Sequence, residues 1–282
     1  MAPGAEVYLD HAATTPVCAE VRSVMEPWLW EEYGNASSRH RSGMRAAAAI
    51  AEARALVAAA VAGTDPGGVV FTSGATEANN IAIRSHALQQ RAHGSHVLVG
   101  PFEHPSCMAT ALSLRDEGFE VEVCEADAEG TLDFGARLRP DTVLAIQMLV
   151  NNVTGELFPV PALAKLVAER SPHALLHVDC VQGLGKLPLD LATLGAASIA
   201  LSAHKVHGPK GCGALVLTPA ARKQLRPLAH GGGHGACLPA KWSEIDAAAG
   251  FVHPLGLVLQ RVACDPARRT PPPSSGWAEL RS

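Results

Sequence analysis

Short apolar segments alternate with amphipathic ones along this chain, and the alternation restricts its fold more than any other feature. Seven segments have the length and composition of buried strands: residues 69–71, 96–99, 121–124, 143–148, 175–178, 198–201 and 213–217. Helical patterns at 42–62, from 76 onwards, and at 106–117, 160–169 and 189–194 precede or separate them. This order predicts an α/β fold with a mainly parallel, doubly wound sheet and helices on both faces.

The alternation does not continue to the last residue. We expect residues 1–234 to form one large domain with an N-terminal arm, which is enough chain to bury a sizeable core. Residues 235–282 contain six prolines and show no helix or strand pattern past Phe251. This tail is therefore expected to be poorly ordered.

Composition excludes several classes of function. The formal net charge of -4 provides no basic surface for nucleic acid or for an anionic membrane. No apolar run reaches the roughly 18 residues of a membrane span, and the N-terminus lacks the pattern of a signal peptide. The seven cysteines form no close-spaced pair, which argues against a metal site or a disulfide framework and indicates a cytoplasmic protein.

Polar residues follow several of the predicted strands. Thr76, His104, Asn152, Asp179 and Lys205 all fall where a strand is predicted to end, and ligands of doubly wound sheets bind at that edge. Each residue alone also fits a structural role: a helix cap, a turn, a structural imidazole or a lysine that meets solvent. Only their combination favours a ligand site.

Three of these features are the protein parts of a pyridoxal phosphate site. Lys205 can form a Schiff base, and Asp179 can hold the pyridine nitrogen protonated so that the ring accepts electrons. The helix N-terminus at Gly74, Ala75 and Thr76 presents backbone N–H groups and a dipole that favour a phosphate. Asp179 precedes Lys205 by about one strand–helix–strand unit, so the two strand ends should be neighbours.

Seven motifs in a fixed order resemble those of the NifS-like cysteine desulfurases and selenocysteine lyases, in the class V aminotransferase group of fold-type I pyridoxal phosphate enzymes. They are YLDHAATTP, YGNASSRH, FTSGATEANN, FEHPSC, NNVTGELFPV, HVDCVQGLGKLPLD and SAHKVHGPKGCGAL. The resemblance covers roughly residues 7–234 and implies the large domain of that fold, with a seven-stranded, mainly parallel sheet. We expect the family's C-terminal small domain to be missing from this chain.

The resemblance also implies roles for individual residues. Lys205 corresponds to the lysine that carries the cofactor, and His104 to a residue that stacks on its ring and acts as an acid or base. Asp179 corresponds to the partner of the pyridine nitrogen, with Asn152 and Gln182 near the ring hydroxyl. The residues expected to hold the phosphate are Ala75, Thr76, Ser202 and His204.

The enzymes that this chain resembles remove sulfur from L-cysteine, which leaves L-alanine and a persulfide on a mobile cysteine of the enzyme. The resemblance implies pyridoxal 5'-phosphate as cofactor, a homodimer, a sulfur-acceptor protein as partner, and a role in sulfur metabolism and iron–sulfur cluster assembly. Two alternatives stay open. One is another class V aminotransferase or lyase, such as a selenocysteine lyase, and the other is a truncated cofactor-binding module without catalysis.

The resemblance stops after His234. The family continues with a threonine that reaches the phosphate in the partner subunit, an arginine that grips the substrate carboxylate and a loop with the catalytic cysteine. None of these motifs follows here, so we expect the ending to be truncated or replaced, as by a frameshift or an alternative splice. Cys237 and Cys264 are present, but neither sits in a loop that matches the family motif.

We expect this chain alone to show almost no desulfurase turnover. Effective molarity falls steeply when a reacting group is not held near its target, and no matching loop holds a thiolate here. Release of sulfide or alanine from cysteine, measured with saturating cofactor, should stay near the rate without enzyme. An ordinary enzymatic rate that Cys237→Ser or Cys264→Ser abolishes would contradict this expectation and reveal a relocated nucleophile.

Overall fold

The structure, a computed structural model, describes residues 7–125 and 132–226. Its α-helices are α1 (Ala19–Trp30), α2 (Arg41–Ala60), α3 (Ala75–Gln90), α4 (Pro105–Ser113), α5 (Phe134–Arg137), α6 (Val160–Arg170), α7 (Leu191–Leu194) and α8 (Pro219–Gln224). Its strands are β1 (Val61–Ala62), β2 (Val69–Thr72), β3 (His96–Val99), β4 (Glu120–Val123), β5 (Thr142–Met148), β6 (Leu175–Asp179), β7 (Leu189–Asp190), β8 (Ser198–Ser202) and β9 (Gly213–Leu217). Short 3-10 helices cover Pro66–Gly68, Leu114–Glu117 and Ala203–Lys205.

One large sheet contains seven of the strands, in the order β2-β9-β8-β6-β5-β3-β4. Strand β9 pairs antiparallel with β2 and β8, and the other pairs in this sheet are parallel. Strands β6 and β8 lie side by side, with Asp179 opposite Ala200. The predicted α/β fold with a mainly parallel sheet is confirmed, and Asp179 and Lys205 do follow neighbouring strands.

Helices cover both faces of the sheet. Successive residues of a strand point to opposite faces, so the apolar residues of a central strand contact helices on both sides. Ala200 of β8 belongs to an apolar cluster with Ala78 and Ile81 of α3. Its neighbours Ile199 and Leu201 belong to the cluster on the other face, together with residues of α2 and α6. The central strands are therefore buried on both sides, which explains their near-continuous apolar composition.

Most predicted bounds agree with the structure within one or two residues, and the differences have local causes. The helix predicted at 42–62 ends at Ala60, because the next two residues form β1 and pair with β7. For the same reason the helix predicted at 189–194 begins only at Leu191. The helix predicted at 106–117 tightens into a 3-10 turn from Leu114. The sequence patterns did not predict α1, α5 or α8.

The N-terminal arm, residues 7–18, lies along the segment that follows β8. The backbone N–H of Thr15 donates to the carbonyl of His204 at 2.8 Å, and that of Cys18 donates to the carbonyl of His207 at 3.1 Å. The Thr15 hydroxyl donates to the His204 carbonyl and accepts from the His207 N–H. These contacts connect the arm to the residues on either side of Lys205.

The described residues bear on two of the exclusions made from composition. None of their helices is long and apolar enough to cross a membrane. Among the same residues, no group of three or more histidine, cysteine or acidic side chains is arranged to hold a metal ion. The tail at 235–282 lies outside the described residues, so its lack of order stays a prediction.

Gly213, at the start of β9, lies against the start of α3. A Cβ placed on Gly213 would come within 2.6 Å of the Gly74 Cα, which is closer than real side chains approach. Gly74 has φ +156°, at the edge of the range that favours glycine. The two glycines let the sheet and the first turn of α3 approach each other, and this approach sets where that turn lies.

We expect Gly213→Ala to lower the free energy of unfolding by about 1–3 kcal/mol, because the added methyl group forces packed backbones apart. Gly135→Ala is the matched control, since its Cβ would meet nothing closer than 3.4 Å and helices favour alanine over glycine. Urea unfolding of both variants measures the difference. Equal stability of the two variants would show that the contact between Gly213 and Gly74 imposes no constraint.

Candidate active site

A cavity of about 920 Å³ opens where the parallel strands of the large sheet end. The predicted site residues all border it: Ala75, Thr76, His104, Asn152, Asp179, Gln182, Ser202, His204 and Lys205. The arm adds Asp10 and the segment 12–14 to the wall. Residues that are far apart in sequence meet here because the carboxyl ends of parallel strands share one edge of the sheet.

One part of the cavity wall is the N-terminus of α3. The helix begins at Ala75 with Gly74 as its N-cap, so the alternative that Thr76 caps the helix is wrong. No side chain of the described residues caps it. Glu77 instead accepts from the backbone N–H and the hydroxyl of Ser73, at 2.7 and 2.8 Å. The first N–H groups of α3 thus lie at the cavity without a side-chain acceptor, an arrangement that suits a phosphate.

Asp179 lies at the end of β6 and is only 6% exposed. Its Oδ1 accepts from the backbone N–H of Val181 at 3.0 Å, and its Oδ2 accepts from the side-chain amide of Asn79 at 2.9 Å. Asn79 belongs to α3, so the helix that borders the cavity also holds the carboxylate. The two N–H donors replace hydration that a buried carboxylate loses.

Lys205 lies in the 3-10 turn after β8 and is half-buried. Its ammonium donates to the carbonyl oxygens of Ala12 and Ala13, at 2.7 Å each. Burial lowers the pKa of Lys205, while the negative charges of Asp179 and Asp10 act in the opposite direction. A lysine with a lowered pKa loses its proton more readily, and only the neutral amine adds to a carbonyl group.

Two polar residues before Lys205 border the same cavity. Ser202 is buried at the last position of β8. His204 contacts the hydroxyl of Thr14 through Nδ1 at 3.0 Å. Burial and the charges of Lys205 and Lys210 lower the pKa of His204. This side of the cavity therefore offers hydroxyl, imidazole and ammonium groups, all of which can donate to an anion.

The amide of Gln182 is fixed at both ends. Its Nε2 donates to the Ala12 carbonyl at 2.9 Å, and its Oε1 accepts from the Lys186 ammonium at 2.9 Å. Asn152 borders the cavity, while the side chain of its neighbour Asn151 accepts from two backbone N–H groups of the turn. The turn role considered for Asn152 thus belongs to Asn151.

Comparisons with known proteins point to one family. The profile of the aminotransferase class-V family matches residues 7–248, past the His234 where the resemblance of the motifs stops. The chain belongs to the aminotransferase class-V family. Cysteine desulfurase IscS of Dechloromonas aromatica (strain RCB) is 42% identical over 233 residues, which are 81% of this chain and 57% of that protein. The chain thus spans little more than half the length of the curated relatives it matches.

Two solved structures share the fold of this class V chain. A NifS-like protein has a TM-score of 0.82 at 31% identity, over 92% of this chain and 71% of that one. SspA in complex with cysteine has a TM-score of 0.80 at 32% identity, over 90% of this chain and 72% of that one. These likenesses confirm the predicted resemblance and the large domain of fold-type I. Class V proteins of this kind depend on pyridoxal phosphate, as predicted.

The residues present in this class V chain fit that cofactor. A Cβ added to Gly74 would meet no atom within 4 Å, so open space lies beside the uncapped helix where a phosphate needs room. The same cavity holds a buried carboxylate, Asp179, for a protonated ring nitrogen. It also holds a lysine with a lowered pKa, Lys205. Anion site, carboxylate and amine are the donor set that pyridoxal phosphate requires.

Two buried polar residues of the site were missed in the sequence. Asn79 is completely buried, and Glu103 is 8% exposed with one carboxyl oxygen accepting from the backbone N–H of Met148. Both stand inside the motifs quoted above, FTSGATEANN and FEHPSC. The available signal for Asn79 was its place on the same helical face as Ala82 and Ile83, where a polar side chain needs a buried partner.

Glu103 and Asp179 are two carboxyl groups in one buried region. Burial, followed by the charge of Asp179, raises the pKa of Glu103 to about 8. Glu103 is therefore mostly protonated at neutral pH, and a second negative charge beside Asp179 is avoided. Glu103 acts as a neutral neighbour of the site's carboxylate.

Most described cysteines are not placed to act as nucleophiles. Four of them are buried: Cys107, Cys124, Cys180 and Cys212. Burial raises the pKa of each thiol, to about 11 for Cys124 and to about 12 for Cys212. Because the thiolate is the reactive form, these thiols are unreactive core residues. Cys237 and Cys264 lie outside the described residues.

We expect the free energy of unfolding to fall as the pH rises from 7 to 8, by about 1 kcal/mol. The folded chain keeps the Glu103 proton up to a pKa of about 8, whereas the unfolded chain releases it near pH 4.5. The contribution of Glu103 to the free energy of unfolding is therefore complete below pH 4.5 and is lost as the pH rises past about 8. Unfolded histidines titrate mainly below this range and unfolded thiols mainly above it. Urea unfolding across the range measures the slope.

Glu103→Gln cannot ionise, so its free energy of unfolding should stay constant from pH 7 to 8. Glu156→Gln is the control, because it removes a carboxyl group from an exposed turn and should keep the slope of the unaltered chain. The same slope in Glu103→Gln and in the unaltered chain would show that Glu103 is not the group responsible.

Proposed function

We propose that this chain carries the cofactor-binding part of a pyridoxal phosphate-dependent cysteine desulfurase, an enzyme that converts L-cysteine to L-alanine and an enzyme persulfide. The observation that carries the proposal is the convergence of Asp179, Lys205 and the uncapped N-terminus of α3 on one cavity. The choice of reaction is supported by a relative named cysteine desulfurase and by a solved neighbour in complex with cysteine.

When bound, pyridoxal phosphate supplies an electron sink for the carbon atom from which a proton is removed. In this proposal Lys205 holds the cofactor through its amine, and Asp179 pairs with the ring nitrogen. His104 stacks on the ring, with Asn152 and Gln182 near its hydroxyl group. The phosphate is held by the first turn of α3 and by the segment after β8, through Ala75, Thr76, Ser202 and His204.

The arm provides a place for the Lys205 amine when it is not joined to the cofactor. The carbonyl oxygens of Ala12 and Ala13 accept from the ammonium at 2.7 Å, and the Ala12 carbonyl also accepts from Gln182. Two backbone carbonyl groups thus keep the amine at the wall of the cavity. Its lowered pKa eases the proton loss that precedes bond formation.

The sulfur-transfer part of the reaction needs an accessible thiolate. Cys107 and Cys180 lie near Asp179, but burial and that negative charge raise the pKa of both thiols well above the ordinary value. The proposal therefore assigns cofactor binding and handling of the substrate's amino group to the described residues, and assigns sulfur transfer to none of them.

The proposal includes a second copy of the chain and a sulfur-acceptor protein as partners, and a cytoplasmic location. Apolar side chains on and after α1 support a protein contact, because Trp30 is 76% exposed and Tyr33 is 86% exposed. Leu29 and Met44 add to the same kind of surface, at 48% and 59%. Apolar side chains exposed to this degree commonly mark an interface.

Lys205→Ala tests the cofactor assignment. The purified chain should bind pyridoxal phosphate with an absorbance band near the edge of the visible range. Borohydride should remove the band and leave the cofactor attached to a peptide that contains Lys205, and Lys205→Ala should show no such band. Lys210→Ala removes another lysine of the same cavity and should keep the band. A band that survives in Lys205→Ala, or a cofactor found on Lys210, would refute the assignment.

A further inference from the structure

Asn79 connects two residues of the proposed site through hydrogen bonds. Its side-chain NH2 lies 2.9 Å from Asp179 Oδ2 and 2.9 Å from Ser106 Oγ. Ser106 Oγ in turn lies 2.7 Å from His104 Nδ1. On its other side, Asn79 Oδ1 lies 3.0 Å from His177 Nε2. One buried amide therefore links the site's carboxylate with its ring-stacking imidazole.

The carboxylate of Asp179 determines the direction of these bonds. A carboxylate only accepts, so the Asn79 NH2 group must face Asp179 and the Asn79 oxygen must face His177. The His177 Nε2 therefore carries a proton and donates it to that oxygen. The second N–H of Asn79 donates to Ser106 Oγ, so the single hydroxyl proton of Ser106 is available for His104 Nδ1.

The groups behind His177 are consistent with the same direction. Burial lowers the pKa of His177 to about 3 and that of His86 to about 4, so both rings are neutral at pH 7. With its proton on Nε2, His177 accepts at Nδ1 from the Ser198 hydroxyl at 2.8 Å. His86 Nε2 then donates to Ser198 Oγ, also at 2.8 Å. The hydrogen bonds from His86 through Ser198 and His177 to Asn79 can therefore all donate in one direction, towards the cavity.

His104 is where the network reaches the cavity. Its Nδ1 receives the Ser106 hydroxyl at 2.7 Å and the Ser106 backbone N–H at 3.1 Å. A ring nitrogen that accepts carries no proton, so the proton of the neutral ring is on Nε2. A proton on Nδ1 would point at the hydrogen of the Ser106 backbone N–H, and the two hydrogens would repel each other.

We propose that Asn79 is a positioning residue that, through Ser106, holds His104 as a neutral ring with its proton on Nε2, so that His104 presents a hydrogen-bond donor to its ligand. The group that His104 faces must then be an acceptor, such as a carboxylate, a thiolate or a phenolic oxygen. The resemblance implies that His104 acts as an acid or a base, and of these two roles the network favours that of a donor, through the proton on Nε2. The inference rests on the proposed function only in giving His104 contact with cofactor or substrate.

The test is nitrogen NMR of the histidine rings in the cofactor-free chain at pH 7 to 8, with His104 assigned by its loss in His104→Gln. We expect an unprotonated Nδ1 and a protonated Nε2. A proton on Nδ1, alone or together with Nε2, would overturn the proposal. Because neither cofactor nor turnover is involved, a failure of cofactor binding at Lys205 would leave this result unaffected.

Asn79→Ala tests the role of the amide. Without its donor, Ser106 Oγ can also accept from His104, and the ratio of the Nδ1–H form to the Nε2–H form should rise about fivefold, the effect of one ordinary hydrogen bond. Asn80→Ala is the matched control on the same helix, because the Asn80 side chain donates to the backbone of Thr76, away from Ser106 and Asp179, and should leave the ratio unchanged. An unchanged ratio in a folded Asn79→Ala would overturn the proposal.

If Asn79→Ala does not fold, Ser106→Ala replaces it. This variant removes the hydroxyl donor to His104 and leaves the backbone N–H in place, so the same ratio should rise. A ratio equal to that of the unaltered chain would mean that the hydroxyl does not select the tautomer, and would overturn the proposal in the same way.

Discussion

The Asp179 carboxylate is taken almost completely out of water, and much of the site consists of groups that compensate for this. Val181 and Asn79 donate N–H groups to its two oxygens. Glu103 in the same region stays protonated because burial, followed by the negative charge of Asp179, raises its pKa to about 8. His177, behind Asn79, follows from the same requirement. Because the NH2 group of Asn79 faces the carboxylate, the buried oxygen of Asn79 needs a donor, and His177 supplies it.

The loop that carries Lys205 depends on a second constraint, the N-terminal arm. His207, two residues after the lysine, has φ +65°, a left-handed conformation that is uncommon for residues other than glycine. The Thr15 hydroxyl accepts from the His207 N–H at 2.7 Å, and the Pro16 carbonyl lies 3.1 Å from its Nδ1. The strained residue is thus held by contacts with a segment nearly two hundred positions earlier, consistent with the general rule that such conformations persist where surrounding structure fixes them.

The predictable part of this molecule is the part that depends on local pattern. Apolar periodicity located the strands of the large sheet, and polar residues at strand ends, such as Asp179 and Lys205, were brought together by the topology that alternation predicts. What escaped prediction depends on partners distant in sequence. Asn79 is recognisable only beside Asp179, and Glu103 only beside the backbone of Met148. The end of α2 depends on the pairing of β1 with β7.

Helix α3 links the parts of the site more tightly than the separate motifs suggest. Its first turn, at Ala75 and Thr76, borders the place proposed for the phosphate, and Asn79, one turn further on, holds Asp179. Residues three and four positions apart lie on the same side of a helix, so both groups move together when the helix moves. The approach of Gly213 to Gly74 fixes the start of this helix against β9. The turn proposed for the phosphate and the amide that holds Asp179 are thus positioned together against the sheet.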